Sequence, residues 1–213
     1  MSTRTSHTPG RFGNIAGALL VGGESTRMGR DKAHIEIGGV PMATGLARLL
    51  NSMFEDVVLV GGNPPEDAPG RRVSDPEVTG GAANATRSSL RGLTGALEAV
   101  NAERVLVIAT DSPLLTADLL LALTAHPAHD AVVVEDASGW LHPLCAIYKR
   151  EAVLPKARER LAAGDFKLRG LLDAVDTQAF GGADLAAVDP DGTALTNINT
   201  PEELERVRAL LAQ

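Results

Sequence analysis

Aliphatic runs alternate along this chain with stretches whose apolar residues recur at helical spacing. Asn14 to Val21 reads as a buried strand carrying Ile15, Ala16, Ala18, Leu19, Leu20 and Val21. A glycine-rich loop, Gly22 to Lys32, follows it. Pro41 then opens a helix, a first-turn position that tolerates proline, and Met42, Gly45, Leu46, Leu49, Leu50 and Met53 give it one apolar stripe. Asp56 to Val60 is a second strand that ends at Gly61-Gly62. Residues 63–88 are rich in Pro, Gly, Ser and Thr without a period, and read as one long functional or disordered loop. Leu90 to Val100 reads as a helix, and Arg104 to Thr110 as a third, strongly apolar strand ending at Asp111. Thr116 caps a helix that runs to about Ala125. Asp130 to Val134 and Leu141 to Tyr148 are two further strands, and Glu151 to Ala163 and Lys167 to Val175 two further helices. The last helix starts after Thr200-Pro201-Glu202-Glu203: a Thr cap, proline at the first helical position, acids in the first turn.

Strands alternating with helices predict βαβ units, hence an α/β protein with a mainly parallel sheet. Near-continuous aliphatic strands agree, because parallel strands are covered on both faces. Aromatic residues are only 3% of the chain, so Leu, Val and Ala must fill the core. With 213 residues and no internal repeat, the expectation is one domain over residues 13–213, preceded by a flexible polar tail, 1–12.

Charge narrows the functional classes. A net charge of -7 argues against a nucleic-acid partner, which calls for a broad basic surface. The polar N-terminus lacks the apolar core of a signal peptide, and no aliphatic run approaches the ~20 residues of a membrane span. The expected setting is cytoplasmic, with no membrane partner. Cys145 is the one cysteine and lies in the apolar Leu144-Cys145-Ala146-Ile147, which reads as a buried thiol.

Against this acidic background the loop Gly22-Gly23-Glu24-Ser25-Thr26-Arg27-Met28-Gly29-Arg30-Asp31-Lys32 is locally basic. Paired glycines let backbone N–H groups approach a ligand, and amides combined with fixed cations suit a polyphosphate. The loop follows the carboxyl end of the first strand, where open α/β sheets bind ligands. It is neither a Walker loop, since Gly29 precedes Arg30 and Lys32 precedes Ala33, nor a G-x-G-x-x-G fingerprint. Asp111, after the third strand and before Ser112-Pro113, has two readings: a turn cap, or a carboxylate for a hard ion such as Mg²⁺, which takes one or two carboxylates plus phosphate oxygens. Asp75 before Pro76 reads locally as an ordinary turn residue.

The run Leu20-Val21-Gly22-Gly23-x-Ser25-x-Arg27-Met28-Gly29-x-Asp31-Lys32 resembles the signature of molybdenum cofactor guanylyltransferases, with Val21 where that family has Ala. The resemblance continues over nearly the whole chain. The stretch at Asp111 is similar to the family's Cys-Asp-x-Pro segment. Arg91 to Gly95 resembles its Gly-Pro-Leu-x-Gly turn without the proline, and His142-Pro143 its His-Pro strand start. Asn197-Ile198-Asn199-Thr200-Pro201-Glu202 is similar to its Asn-Val-Asn-Thr-Pro-Glu segment.

The resemblance implies a three-layer α/β/α sandwich with a Rossmann-like sheet, of the nucleotide-diphospho-sugar transferase type. It also implies transfer of GMP from GTP to molybdenum-bound molybdopterin, with Mg²⁺ as cofactor and pyrophosphate as the second product. Arg27, Lys32 and Asp111 are then the catalytic residues, with Asp111 as the metal ligand. Leu20, Val21, Gly22, Gly23, Lys32, Gly61, Asp75 and Asp111 would face the nucleotide, and Lys167, Asn197 and Asn199 the pterin. Gly61 stands where the family often has an Asn near the base, so backbone groups from Leu20 to Gly22 and near Gly61 are expected to read guanine. The partners implied are GTP and molybdopterin, with molybdoenzymes or other cofactor-biosynthesis proteins as candidates. Two rival readings stay open: a cytidylyl- or sugar-1-phosphate nucleotidyltransferase with the same loop, and a non-catalytic nucleotide-binding module. His142 is read first as structural and second as catalytic.

Overall fold

The computed structural model describes residues 12–22, 31–76, 88–127 and 129–211. Its centre is a seven-stranded sheet in the order β5-β4-β1-β6-β8-β7-β9. These strands are β1 (Ile15–Leu20), β4 (Val57–Val60), β5 (Arg71–Val73), β6 (Arg104–Ala109), β7 (Ala131–Glu135), β8 (Leu141–Lys149) and β9 (Thr177–Phe180). Every neighbouring pair is parallel except the two that β8 makes, so a single reversed strand sits in an otherwise parallel sheet. A short hairpin, β2 (Glu36–Ile37) and β3 (Val40–Pro41), stands apart from it.

Both faces are covered, and alternation along each strand decides which residue faces which layer. Leu19, Leu106, Ile108, Cys145 and Ile147 pack into one core with α1 (Met42–Met53), α3 (Ala117–Ala125) and α6 (Gly182–Val188). Ala18, Leu20, Val105, Val107, Ala146 and Tyr148 pack into the other with α2 (Ser89–Ala99), α4 (Arg150–Ala162) and α5 (Leu168–Leu172). The three-layer sandwich is thus formed as expected. Cys145 is buried and its thiol is pushed up to about 12 by desolvation, so it stays a protonated apolar group. None of the described helices is long and apolar enough to cross a membrane.

The caps follow local chemistry. Thr116 Oγ1 accepts from the Leu119 N–H at the start of α3. At α7 (Pro201–Leu211), Thr200 Oγ1 accepts from Glu203 N–H while Glu203 Oε2 accepts from the N–H groups of Asn199 and Thr200, a reciprocal capping box.

Some boundaries differ from the sequence reading. Pro41 is the extended residue before α1 rather than its first helical residue. Arg91 to Gly95 lies inside α2 and not in a turn. There Gly95 lets the helix close onto its neighbours, since a Cβ would come 2.9 Å from Pro76 Cδ. The helix expected over 167–175 is only α5, because the Thr177 hydroxyl takes up the carbonyl of Leu172 and hands the chain to β9. β5 and β9 were unread: β5 is mostly exposed and β9 only partly buried, so neither carries a hydrophobic pattern, and both exist through pairing with distant strands.

Candidate active site

The order of the strands sets the site. From β1 the chain goes to β4 and β5 on one side, then crosses to β6 on the other side of β1. The carboxyl ends of β1, β4 and β6 therefore meet at the point where the winding reverses, which is where such sheets open a ligand crevice.

On the β4 and β5 side the wall is glycine against carboxylate. Gly61 has φ +68°, and a Cβ there would stand 2.9 Å from both Asp75 carboxylate oxygens. A Cβ on Gly22 would reach one of the same oxygens at 4.0 Å. Gly22, Gly61 and Asp75 are thus one cluster, and the Asp75 carboxylate fills the space into which a larger side chain at position 61 would project. Buried Arg91 holds this segment from below, donating from Nε and from its terminal amine to the Pro76 carbonyl. Arg91 was missed as a site residue because its position in α2 appears only in three dimensions.

Several of the expected base-reading backbone groups are already committed to the sheet. The Leu20 carbonyl accepts from both the N–H (3.2 Å) and the hydroxyl (3.0 Å) of Thr110. The Val21 N–H donates to Val60 and the Gly61 N–H to Val73, each at 2.9 Å. Of the expected groups, the Val21 carbonyl, Gly22 and Asp75 remain for the proposed base contacts.

The geometry around Gly61 gives a first testable outcome. Gly61→Ala should destabilise the fold by about 1–2 kcal/mol, the cost of a side chain at positive φ, and should weaken nucleotide binding by displacing Asp75. Chemical denaturation and a nucleotide titration check it; unchanged affinity would detach Asp75 from the nucleotide.

On the β6 side, three segments far apart in sequence converge. Lys32 sits in a 3-10 turn whose cap, Asp31, accepts from the Ala33 N–H. The Lys32 ammonium donates to Asn199 Oδ1 at 2.7 Å. The Asp111 carbonyl accepts from the Ile198 N–H at 2.8 Å, and the Ser112 hydroxyl donates to Asn197 Oδ1 at 2.7 Å. That hydroxyl has one proton, so its 3.5 Å approach to Asp111 Oδ1 is the weaker contact. Ile198 is fully buried with Ile35, Met42 and Val207, which anchors the Asn-Ile-Asn segment between the loop and the strand. Lys32, Asp111, Asn197 and Asn199 are thereby brought together.

Asp111 is half-buried, and desolvation pushes its carboxyl above the usual carboxylate range. The charge of Lys32, the chain's own hydrogen bonds and, more distantly, His142 act in the opposite sense without cancelling it. Burial thus outweighs these favourable neighbours in disfavouring the ionised form. No group of three His, Cys, Asp or Glu side chains that could hold a metal occurs among the described residues.

His142 lies beside this cluster. Continued past its last pair, Ile108↔Cys145, the antiparallel register of β6 and β8 carries Asp111 toward His142. The His142 Nε2 is 2.9 Å from Asp136 Oδ2. Hydrogen bonds, first from Ser138 and then from His142, hold the Asp136 carboxyl well below the usual carboxylate range. Asp136 is a second residue that sequence reading missed; the signal lay in Asp136-Ala137-Ser138-Gly139, a polar turn between two apolar strands.

One expectation stands elsewhere. Lys167 is the exposed residue preceding α5, whose leucines pack in the core opposite to that of Ala33, next to Lys32. Gly23 and Arg27 lie outside the described residues.

The chain is similar to known proteins over most of its length. Residues 17–179 match the MobA-like NTP transferase domain. The chain is 32% identical to a probable molybdenum cofactor guanylyltransferase of Chloroflexus aggregans over 92% of its own length and 95% of that protein. It is 32% identical to the molybdenum cofactor guanylyltransferase of Cereibacter sphaeroides, covering 92% and 97%. Its fold resembles that of molybdopterin-guanine dinucleotide biosynthesis protein A from Archaeoglobus fulgidus, with a TM-score of 0.76 at 20% identity over 92% of this chain and 98% of that one. It also resembles 2-C-methyl-D-erythritol 4-phosphate cytidylyltransferase from Thermus thermophilus, with a TM-score of 0.65 at 16% identity over 92% and 98%.

Proposed function

The chain belongs to the MobA-like NTP transferase family, among its molybdenum cofactor guanylyltransferases, and is an enzyme of that type; from this premise we propose that it transfers GMP from GTP to molybdenum-bound molybdopterin, releasing pyrophosphate. The observation that carries this reading is the convergence of Lys32, Asp111, Asn197 and Asn199 at the carboxyl ends of β1 and β6.

The reaction needs positioning and charge stabilisation more than proton transfer. The terminal phosphate oxygen of the pterin forms a bond to the α-phosphorus of GTP. The bond from that phosphorus to the α–β bridging oxygen breaks, and its electrons leave with pyrophosphate. The attacking oxygen is already an anion, so no general base is required. Lys32, steered by Asn199, neutralises charge growing on the transferred and departing phosphates. Arg27 is assigned the same task from its place in the glycine loop. Asn197, turned by Ser112, and Asn199 face the acceptor. Asp111 would hold Mg²⁺, whose chemistry when bound is to neutralise phosphate oxygens. The working unit is residues 13–213, and the setting proposed for it is the cytoplasm. Molybdoenzymes and other cofactor-biosynthesis proteins are the protein partners proposed, with neither nucleic acid nor membrane.

Base choice falls to Val21, Gly22, Gly61 and Asp75. Guanine presents an acceptor at O6 and donors at N1 and N2. The Gly22 N–H suits the first, and the Val21 carbonyl with the Asp75 carboxylate suits the other two. Adenine reverses donor and acceptor at the first two positions. Each buried polar group left unpaired costs about 1–3 kcal/mol, roughly tenfold to a hundredfold in discrimination. Pyrophosphate release with molybdopterin as acceptor should therefore show kcat/KM for GTP at least about tenfold above ATP and CTP. A CTP preference would place the chain with cytidylyltransferases, and no release with any triphosphate would make it a non-catalytic binding module.

A further inference from the structure

The chain has one tryptophan, Trp140, and its side chain is 65% exposed. It sits in the turn between β7 and β8. β7 runs parallel to β6 by way of reversed β8, so this turn lies at the same end of the sheet as Asp111.

The turn is rigid, and nothing in it requires an indole. Asp136 Oδ1 accepts from the Ser138 N–H (2.8 Å), the Ser138 hydroxyl (2.6 Å) and the Trp140 N–H (3.1 Å). The Asp136 N–H donates to the Trp140 carbonyl at 3.0 Å. Among the described residues, the hydrogen bonds of Trp140 run through its backbone N–H and carbonyl. Asp136 also contacts His142, which the β6–β8 register sets toward Asp111. The same carboxylate thus holds the Trp140 backbone, with its indole exposed, at the Asp111 end of the sheet.

The side of the sheet selects the ligand. The glycine–Asp75 wall is at β4 and β5, and the Trp140 turn is at β7 and β8. From β4 to β8 is three strand spacings, about 14 Å, with Asp111 in between. A nucleotide seated with its base at Gly61 and its phosphates at Asp111 leaves Trp140 on the acceptor's side.

We propose that Trp140 is the stacking platform for the planar heteroaromatic ring of the acceptor, with Asp136 as the residue that positions it. This inference rests on the guanylyltransferase reading and extends it to how the second substrate is held. A flat, electron-rich indole face, clamped by its backbone, matches a pterin ring in shape and loses little freedom when the ring binds.

Because Trp140 is the sole tryptophan, intrinsic fluorescence reports on it directly. In the full-length protein, molybdopterin added anaerobically should quench the emission, and GTP with Mg²⁺ alone should leave it unchanged. Trp140→Ala should raise KM for molybdopterin about tenfold, the scale of one lost ring stack, with kcat and the GTP KM within about twofold. Trp140→Phe should recover most of the loss. Quenching by GTP alone would overturn the proposal by assigning the indole to the purine. Normal GTP-dependent turnover with no quenching and an unchanged Trp140→Ala enzyme would overturn it while the function stands. Quenching by molybdopterin without turnover on GTP would uphold the platform and sink the guanylyltransferase reading.

Discussion

Asp111→Asn should lower turnover on the order of 10³-fold and leave the protein folded. The change keeps the shape and the backbone bond from Asp111 to Ile198, and removes only the charge. If Asp111 holds Mg²⁺ as proposed, loss of its charge withdraws several kcal/mol of phosphate charge stabilisation, and each ~1.4 kcal/mol is a factor of ten in rate. The variant should also be more stable than the parent without nucleotide at neutral pH. Burial raises the Asp111 carboxyl, so folding penalises its ionised form. That penalty is absent below the ordinary Asp value of about 3.9. It grows as pH rises through the folded value and is complete above it. The stability gap between variant and parent should therefore open with rising pH across the mildly acidic range and then level off. Parent activity should fall on the acid side at a pH above that of an ordinary carboxylate. Thermal denaturation and a pH–rate profile check both arms. Normal turnover of the Asn variant at ordinary Mg²⁺ would remove Asp111 from the metal site, and a variant less stable at neutral pH would contradict its desolvation.

Lys32→Ala should cost about 10²–10³ in kcat/KM and weaken GTP, whereas Lys167→Ala should leave GTP binding unchanged. The first variant deletes a cation aimed at the phosphates, and losing one preorganised donor typically costs that much. It also strips Asn199 of its 2.7 Å partner. Lys167 precedes α5, which packs in the opposite layer of the sandwich, and it is assigned no contact with the nucleotide. Titrating each variant with GTP alone separates them. Equal weakening by both would dissolve the division into nucleotide and acceptor halves.

The strongest signals in the chain were local. β1 and β6 are unbroken aliphatic runs that only a doubly covered sheet can bury, and both form where the pattern places them. The glycine loop was legible as a locally basic run at a strand end, whereas the Asp-Ser-Pro and Asn-x-Asn-Thr-Pro segments read locally as caps and took their site roles from the family resemblance. Three of the assigned site residues, Lys32, Asn197 and Asn199, needed no structure to be chosen.

What they do to one another did need it. The bonds Lys32–Asn199 and Ser112–Asn197 span 167 and 85 residues, and no local pattern encodes a contact that long. Arg91 under Pro76, Asp136 behind His142 and Trp140 at the acceptor's rim carry no periodicity and acquire meaning only from the strand order. Edge strands β5 and β9 lacked a buried stripe and were invisible for that reason. Hydrophobic pattern and boundary residues therefore determined the elements and the chemistry. The crossover from β5 over to β6 alone decided which carboxylate, which cation and which amides meet, because burial drives each element to its layer while only the winding of the sheet sets which of its ends are neighbours.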